Sequence, residues 1–367
     1  MKLRLIAASA ALLASGTLHA QSSVTLYGVA DVGIEALNRA SQGHAPGADG
    51  RTVRMSSGNL SGSRWGLRGV EDLGQGLKAV FTLESGFHLD TGSTSGGSRL
   101  FDRQALVGLQ GEFGSLTLGR QQTPVYDFGI TYDPMALSAR YSMLSQDRGM
   151  AGRANNAIKY TGSFGGLTAS ALYSFGYGDE GERPGDSRLG REYAFGLGYA
   201  DGPFSVGAIY DQRLPSTDKS LGRDVKVQRA AIAGSYAIGP VKAFAGYRWA
   251  MLQAGTPHSR ANLWWAGLGL QATPALSLKG AAYYQDFRDT RADPWLFVAS
   301  ADYALSKRTD AYVNVALAWN RADAGQGVAS NLGVNGGDSL YGAPAPFIDG
   351  TAKRNQVGAV VGIRHKF

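Results

Sequence analysis

The chain has 367 residues with no cysteine, 52 glycines, 12 prolines and a formal charge of +7. A chain without cysteine has no disulfides, so its stability must come from hydrogen-bonded structure and packing, and glycine at about twice its usual share but without a triplet period excludes a collagen-like rod. Lys and Arg are scattered singly rather than gathered in one arm, which argues against nucleic acid and leaves diffuse attraction for small anions or an acidic surface.

The chain opens "MKLRLIAASAALLASGTLHA", with Lys2 and Arg4 ahead of an apolar stretch from Leu5 to Ala14 and a short tail ending at Ala20. This has the shape of a secretory signal cleaved after Ala20, too short in its apolar part to span a bilayer. Its loss takes the formal charge from +7 to +5. Beyond it no apolar run approaches the length of a membrane-spanning helix.

From Ser23 onward one theme repeats: about ten residues of alternating character, then a Gly, Asp, Asn or Pro break. Leu77, Ala79, Phe81, Leu83 and Phe87 share one parity, against Lys78, Thr82, Glu84 and His88. Leu167, Ala169, Ala171, Tyr173 and Phe175 oppose Thr168, Ser170 and Ser174, and Val313, Val315, Leu317 and Trp319 oppose Tyr312, Asn314 and Asn320. Such segments are strands with one apolar and one wet face.

The breaks alternate in length. Short ones fall at Glu71–Gln75, Glu112–Gly114, Gly165–Gly166, Asp201–Pro203, Gly239–Pro240, Thr273–Ala275 and Leu305–Arg308. Longer ones cover 38–57, 88–99, 122–152, 177–190, 214–226, 253–260, 289–294 and 322–353. Seven short and eight long connections give sixteen strands, an even number with short turns on one rim and long loops on the other. That pattern fits an all-β, 16-stranded antiparallel transmembrane β-barrel with short periplasmic turns and long extracellular loops. In lipid every backbone group must be paired, and half-polar segments achieve this only by closing edge to edge.

The last strand explains an unusual ending. Val357, Ala359, Val361, Ile363 and Phe367 share one face, broken only by His365, and the chain stops on Phe367. To seal the ring this strand must pair with the first, "SSVTLYGVADVGIEAL", so the terminus cannot fray, and a terminal aromatic suits the membrane interface. The ending resembles that of outer-membrane proteins generally, in which the terminal Phe belongs to the signal read by the barrel-assembly machinery.

The strings "SSVTLYGVADVGIE", "SGSRWGLRGVEDLGQGLKAVFTLESGF", "LFDRQALVGLQGEFGSLTLGRQ", "RANNAIKYTGSFGGLTASALYSFG" and "GIRHKF" resemble the Gram-negative general (trimeric) porin family of the β-proteobacterial, neisserial and Burkholderia-like type. The resemblance covers residues 21–367 and is densest from Ser23 to Phe175. It implies an outer-membrane homotrimer among lipid and lipopolysaccharide, each barrel passing ions and small hydrophilic solutes. It further implies a third long loop folded inward, with acids facing arginines on the wall, and no cofactor or metal.

That third loop is Gln122–Gly152, about thirty residues where a connection usually takes a handful. Tyr126, Phe128, Ile130, Tyr132, Met135, Leu137, Tyr141, Met143 and Leu144 give it enough apolar surface to pack. Its acids are Asp127, Asp133 and Asp147; the resemblance sets Arg64, Arg103 and Arg153 opposite them. Parity supports an inward Arg64, because Trp65 and Leu67 take the other phase, and supports Arg153 and Lys159 by the same argument from Ile158 and Tyr160. It does not help with Arg103, whose phase holds Ala105, Val107 and Leu109. Unit charges 5 Å apart interact by roughly 3 kcal/mol at an effective dielectric near 20, so opposed rows set up a transverse field that favours polar solutes. Arginines that cannot lose their charge ease the entry of anions.

An enzymatic barrel is the main rival. The four histidines after the signal, His44, His88, His258 and His365, form no catalytic or metal spacing, and no G-x-S-x-G occurs. "GQGLKA" and "GLGLQA" fit a relaxed dinucleotide fingerprint but open no βαβ unit. A plugged transporter would carry a longer N-terminal domain, and an adhesin would show no conductance. The sequence therefore points to a non-enzymatic diffusion channel with moderate anion preference.

Overall fold

The computed structural model describes residues 23–40, 50–178, 185, 188–215, 225–253, 258–288, 293–319 and 355–367. The expected signal, 1–20, lies outside them, as do parts of several long connections. Seventeen strand segments follow in order: β1 Ser23–Ala40, β2 Gly50–Ser57, β3 Arg64–Gly74, β4 Leu77–Gly86, β5 Gln104–Gly111, β6 Gly114–Gln122, β7 Arg153–Phe164, β8 Leu167–Ser174 and β9 Glu192–Asp201. Then come β10 Phe204–Arg213, β11 Lys226–Ile238, β12 Val241–Gln253, β13 Ser259–Gln271, β14 Leu276–Phe287, β15 Trp295–Ala304, β16 Thr309–Trp319 and β17 Gln356–Lys366.

Each strand pairs antiparallel with its neighbours, and β17 returns to β1 from Val29↔Lys366 to Leu37↔Gly358. The ring is closed. β2 pairs with the second half of β1 and β3 with its first half, so these two segments fill one position and the barrel has sixteen. The expected long connection over 38–57 is shorter than its sequence suggested. β1 runs on to Ala40 and β2 starts at Gly50, because the ladder Val32↔Ser57 to Leu37↔Thr52 pairs residues whose polar side chains, Arg54 and Thr52 among them, disguised a strand.

Period-two patterning sorts the faces as expected. Val313, Val315 and Leu317 are exposed on the outside, whereas Tyr312, Asn314 and Ala316 are buried within. Exposed aromatics gather at the short-turn rim, at Phe113, Phe164, Tyr199, Phe204, Tyr303 and Phe367, and at the long-loop rim, at Phe175, Trp264, Phe297 and Trp319. Two such girdles flank an apolar band.

The terminus is held. Phe367 N–H donates to the Gly28 carbonyl at 3.1 Å and Gly28 N–H donates to Phe367 at 3.0 Å, extending the β1–β17 ladder to the last residue. A second close approach lies inside the seam: a Cβ on Gly362 would stand 2.3 Å from the Tyr312 ring, which is drawn across the glycine so that its hydroxyl reaches Asp31. Aromatic side chains cover glycine backbone in this way across strand pairs. Replacing Gly362→Val displaces that ring; overpacking of this kind costs about 1–3 kcal/mol. The refolded barrel is expected to unfold at a lower temperature, read from the loss of its compact gel mobility, while Val361→Leu on the lipid side leaves it unchanged.

Candidate pore constriction

β6 and β7 are joined by residues 123–152, which turn into the barrel. The base of this loop is closed by Thr123, whose N–H and hydroxyl both donate to the Gly152 carbonyl. Helix α1, Pro124–Tyr132, starts with proline in its first turn, where no N–H is missed. It ends at Asp133, whose carboxylate accepts from Met135 and Leu137 N–H and from the Tyr283 hydroxyl of β14. Those bonds hold the following turn, in which Ala136 and Leu137 take positive φ of 50° and 54°, a conformation side chains avoid without such support.

The loop's apolar residues are its attachment. Val125, Tyr141, Met143 and Met150 are completely buried, and with Phe128, Tyr132 and Met135 they pack on the inner wall from β10 round to β1. Trp265 Nε1 donates to the Tyr132 carbonyl at 3.0 Å, and its ring meets Phe128 edge-on at 6.2 Å. The wall is hollowed to receive the loop. A Cβ at Gly207 would meet the Tyr132 ring at 2.5 Å and one at Gly267 would meet Pro134 at 2.4 Å. Gly267 belongs to one of the two fingerprint-like strings, and its role here is steric.

Charge is distributed unevenly. Asp147, fully buried, lies 3.3 Å from Arg229 of β11 and 3.0 Å from Arg248 of β12, and caps Gly149 N–H. Asp211, Glu192 and Arg213 continue this enclosed cluster. Near the loop's tip, Arg140 and the Tyr141 hydroxyl both donate to Glu35 of β1, which also pairs with Arg54 of β2. Burial, followed by the Glu35 carboxylate, pushes the Tyr141 phenol far up, so it stays protonated and donates. Burial pushes the Asp133 carboxyl up to about 6, against the hydrogen bonds it accepts.

On the other arc, Arg64 and Arg103 converge on Glu84 of β4 at 3.4 Å and 2.8 Å, and the Tyr27 hydroxyl donates to the same carboxylate. Arg153 lies over the Tyr126 ring at 5.4 Å, with no ion pair among the described residues. Arg68, exposed on β3, covers Tyr27 at 5.3 Å. Lys159 meets Asp127 at 2.5 Å and also donates to the Gln122 carbonyl. The guanidinium groups here outnumber the carboxylate they share.

A model described as Gram-negative porin matches residues 7–323. The chain belongs to the Gram-negative porin family. An outer membrane porin protein of Bordetella pertussis is 32% identical, over 91% of this chain and 98% of its own. Outer membrane porin protein 32 of Delftia acidovorans is also 32% identical, over the full length of both. The solved structure of an anion-selective porin from Comamonas acidovorans superposes with a TM-score of 0.77 at 27% identity, covering 95% of this chain and all of that one. This porin therefore resides in the outer membrane, its girdles at the two interfaces.

Set against the expected constriction of this porin, the basic residues Arg64, Arg103, Arg153 and Lys159 do stand on one arc of the barrel. The acids divide. Asp127, at the start of the loop, is half-exposed and faces that arc through Lys159. Asp133 and Asp147 do not face Arg64, Arg103 or Arg153: they are buried beneath the loop against Tyr283 and against Arg229 and Arg248. The reason is packing, since the apolar side of the loop turns to the β10–β1 wall and carries both carboxylates with it. Parity could not place Arg103 because it precedes β5 and escapes strand alternation. In β7 the pairing shifts between Gln121↔Ala154 and Gly119↔Ala157, a bulge that breaks the common phase argued for Arg153 and Lys159. Glu84, Glu35, Arg140, Arg229, Arg248 and Tyr283 were legible only as polar residues on inward faces or in the loop.

Asp147→Ala takes from buried Arg248 the carboxylate it pairs with and leaves Arg229 with Asp211 at 3.7 Å; breaking a buried pair in this way typically costs about 3–5 kcal/mol. The expected result is a barrel that unfolds at lower temperature and, in a planar bilayer, an open-channel current with more noise as the return arm of the loop loosens.

Proposed function

We propose that this porin is a passive, water-filled channel for ions and small hydrophilic solutes with a preference for anions. One observation carries the preference: the loop's acids Asp133 and Asp147 are buried away from the basic arc, while Arg64 and Arg103 share the carboxylate of Glu84 and Arg153 beside them lies over the Tyr126 ring without an ion pair among the described residues. A guanidinium keeps its charge at any physiological pH, so the excess is permanent. In a narrow, weakly screened passage it lowers the entry cost of an anion and raises that of a cation. The resemblance to a relative named anion-selective favours the same sign.

The pore role of Arg64, Arg103, Arg153, Lys159 and Asp127 is part of this proposal. So are a mature chain beginning after Ala20, assembly as a homotrimer, contact with lipopolysaccharide, and reading of Phe367 by the assembly machinery. The channel performs no chemical step; its work is done by charge, width and water.

In a potassium chloride gradient across a planar bilayer, the reversal potential is expected to have the sign of chloride preference. Replacing Arg64, Arg103 and Arg153 together by Gln moves it toward zero. A cation-favouring wild type overturns the selectivity; an unchanged triple variant overturns the assignment of these residues.

A further inference from the structure

Between β2 and β3 the chain leaves the ladder. β1 pairs Val32 with Ser57 and Val29 with Arg64, so opposite the six residues 58–63 it offers only Ala30 and Asp31. The strand carries four residues more than the ladder can use. Because four is even, the faces on either side keep their phase, and both Arg54 and Arg64 point inward.

The excess is folded inward and every part of it is held. Asp31 accepts Leu60 and Ser61 N–H on one oxygen, at 2.9 Å and 2.6 Å, and the Tyr312 hydroxyl on the other. Leu60 packs against the core formed by the constriction loop. Asn59, fully buried, donates to the Ser56 carbonyl at 2.9 Å, accepts from the Ser56 hydroxyl at 2.8 Å, and accepts from Arg140 of the constriction loop. On its other side, the Gly62 carbonyl accepts from Arg64 at 2.9 Å, and a Cβ on Gly62 would stand 3.1 Å from an Arg103 nitrogen.

We propose that this four-residue inward bulge is a second jaw of the constriction, in which Asn59 and Asp31 act as positioning residues. It ties the tip of the third loop, through Arg140, to the two wall arginines, through Gly62. A pure closing device needs none of this, since the ladder is continuous without it. Bulges of this kind re-aim side chains beside functional sites. The bulge fixes where the positive groups stand across the gap, and a passage whose guanidinium groups wander discriminates less between ions.

The register supplies the test. Deleting residues 59–62 leaves Gly58 and Ser63 to pair with Asp31 and Ala30, and the ring closes in the same register. The deleted barrel is expected to refold to compact, heat-resistant gel mobility, with a reversal potential in a potassium chloride gradient displaced toward zero and a noisier open-channel current. A folded deletion variant with the wild-type reversal potential and noise overturns the proposal. If the deletion does not fold, Asn59→Ala and Asp31→Asn at full length decide: loss of ion discrimination in folded channels supports the jaw, and unchanged discrimination in both refutes it. The inference rests on the anion-channel reading only for its sign. A wild type that prefers cations defeats that reading, whereas the role of the bulge is read from the difference between wild type and variant.

Discussion

A backbone in hydrocarbon has no water to satisfy it, and the whole of this porin follows from that demand. Every strand must find a neighbour on both sides, so the last must find the first. The β1–β17 ladder does this to the final residue, with Phe367 and Gly28 exchanging both of their backbone bonds. Once the ring is closed, its outside must be apolar and its inside is free to hold charge. Period-two sequence is the only kind that satisfies both faces of each strand.

A closed ring of sixteen strands is wider than its side chains can fill, and the third loop uses that space. It is attached as a small protein core is, by Val125, Phe128, Tyr141, Met143 and Met150 on a wall relieved by Gly207 and Gly267. Buried ion pairs are weak evidence for stability, because desolvation offsets much of their attraction, but they are strict about partners. Asp147 between Arg229 and Arg248 fixes where the return arm lies. The same burial removes negative charge from the passage. Structural anchoring and positive character therefore have one cause: the acids are used to hold the loop.

The bulge between β2 and β3 shows how a regular wall acquires a local shape without losing its closure. An even excess keeps phase, and a buried carboxylate, Asp31, caps the turn that results. Among the described residues, a long inward element and a short one thus meet inside the barrel at Arg140 and Asn59.

Strand number, the two rims, the inward parity of Arg64 and the existence of a packed third loop were legible in the sequence, because period two, turn residues and loop length are local properties. The closing role of the terminal strand was legible too, since a lipid-embedded sheet admits no edge. What the sequence could not give was partnership. Tyr283 is 150 residues from Asp133 and Arg229 is 82 from Asp147, and which of many inward arginines a loop acid meets depends on the arc of wall its apolar side covers after closure. The bulges at Asn156 and at 58–63 were hidden for a related reason: they exist only as a mismatch between two strands, and one strand read alone carries no record of what it fails to pair with. Tertiary structure decided those points because they are relations between distant segments, set by packing inside a ring that local pattern had already obliged to close.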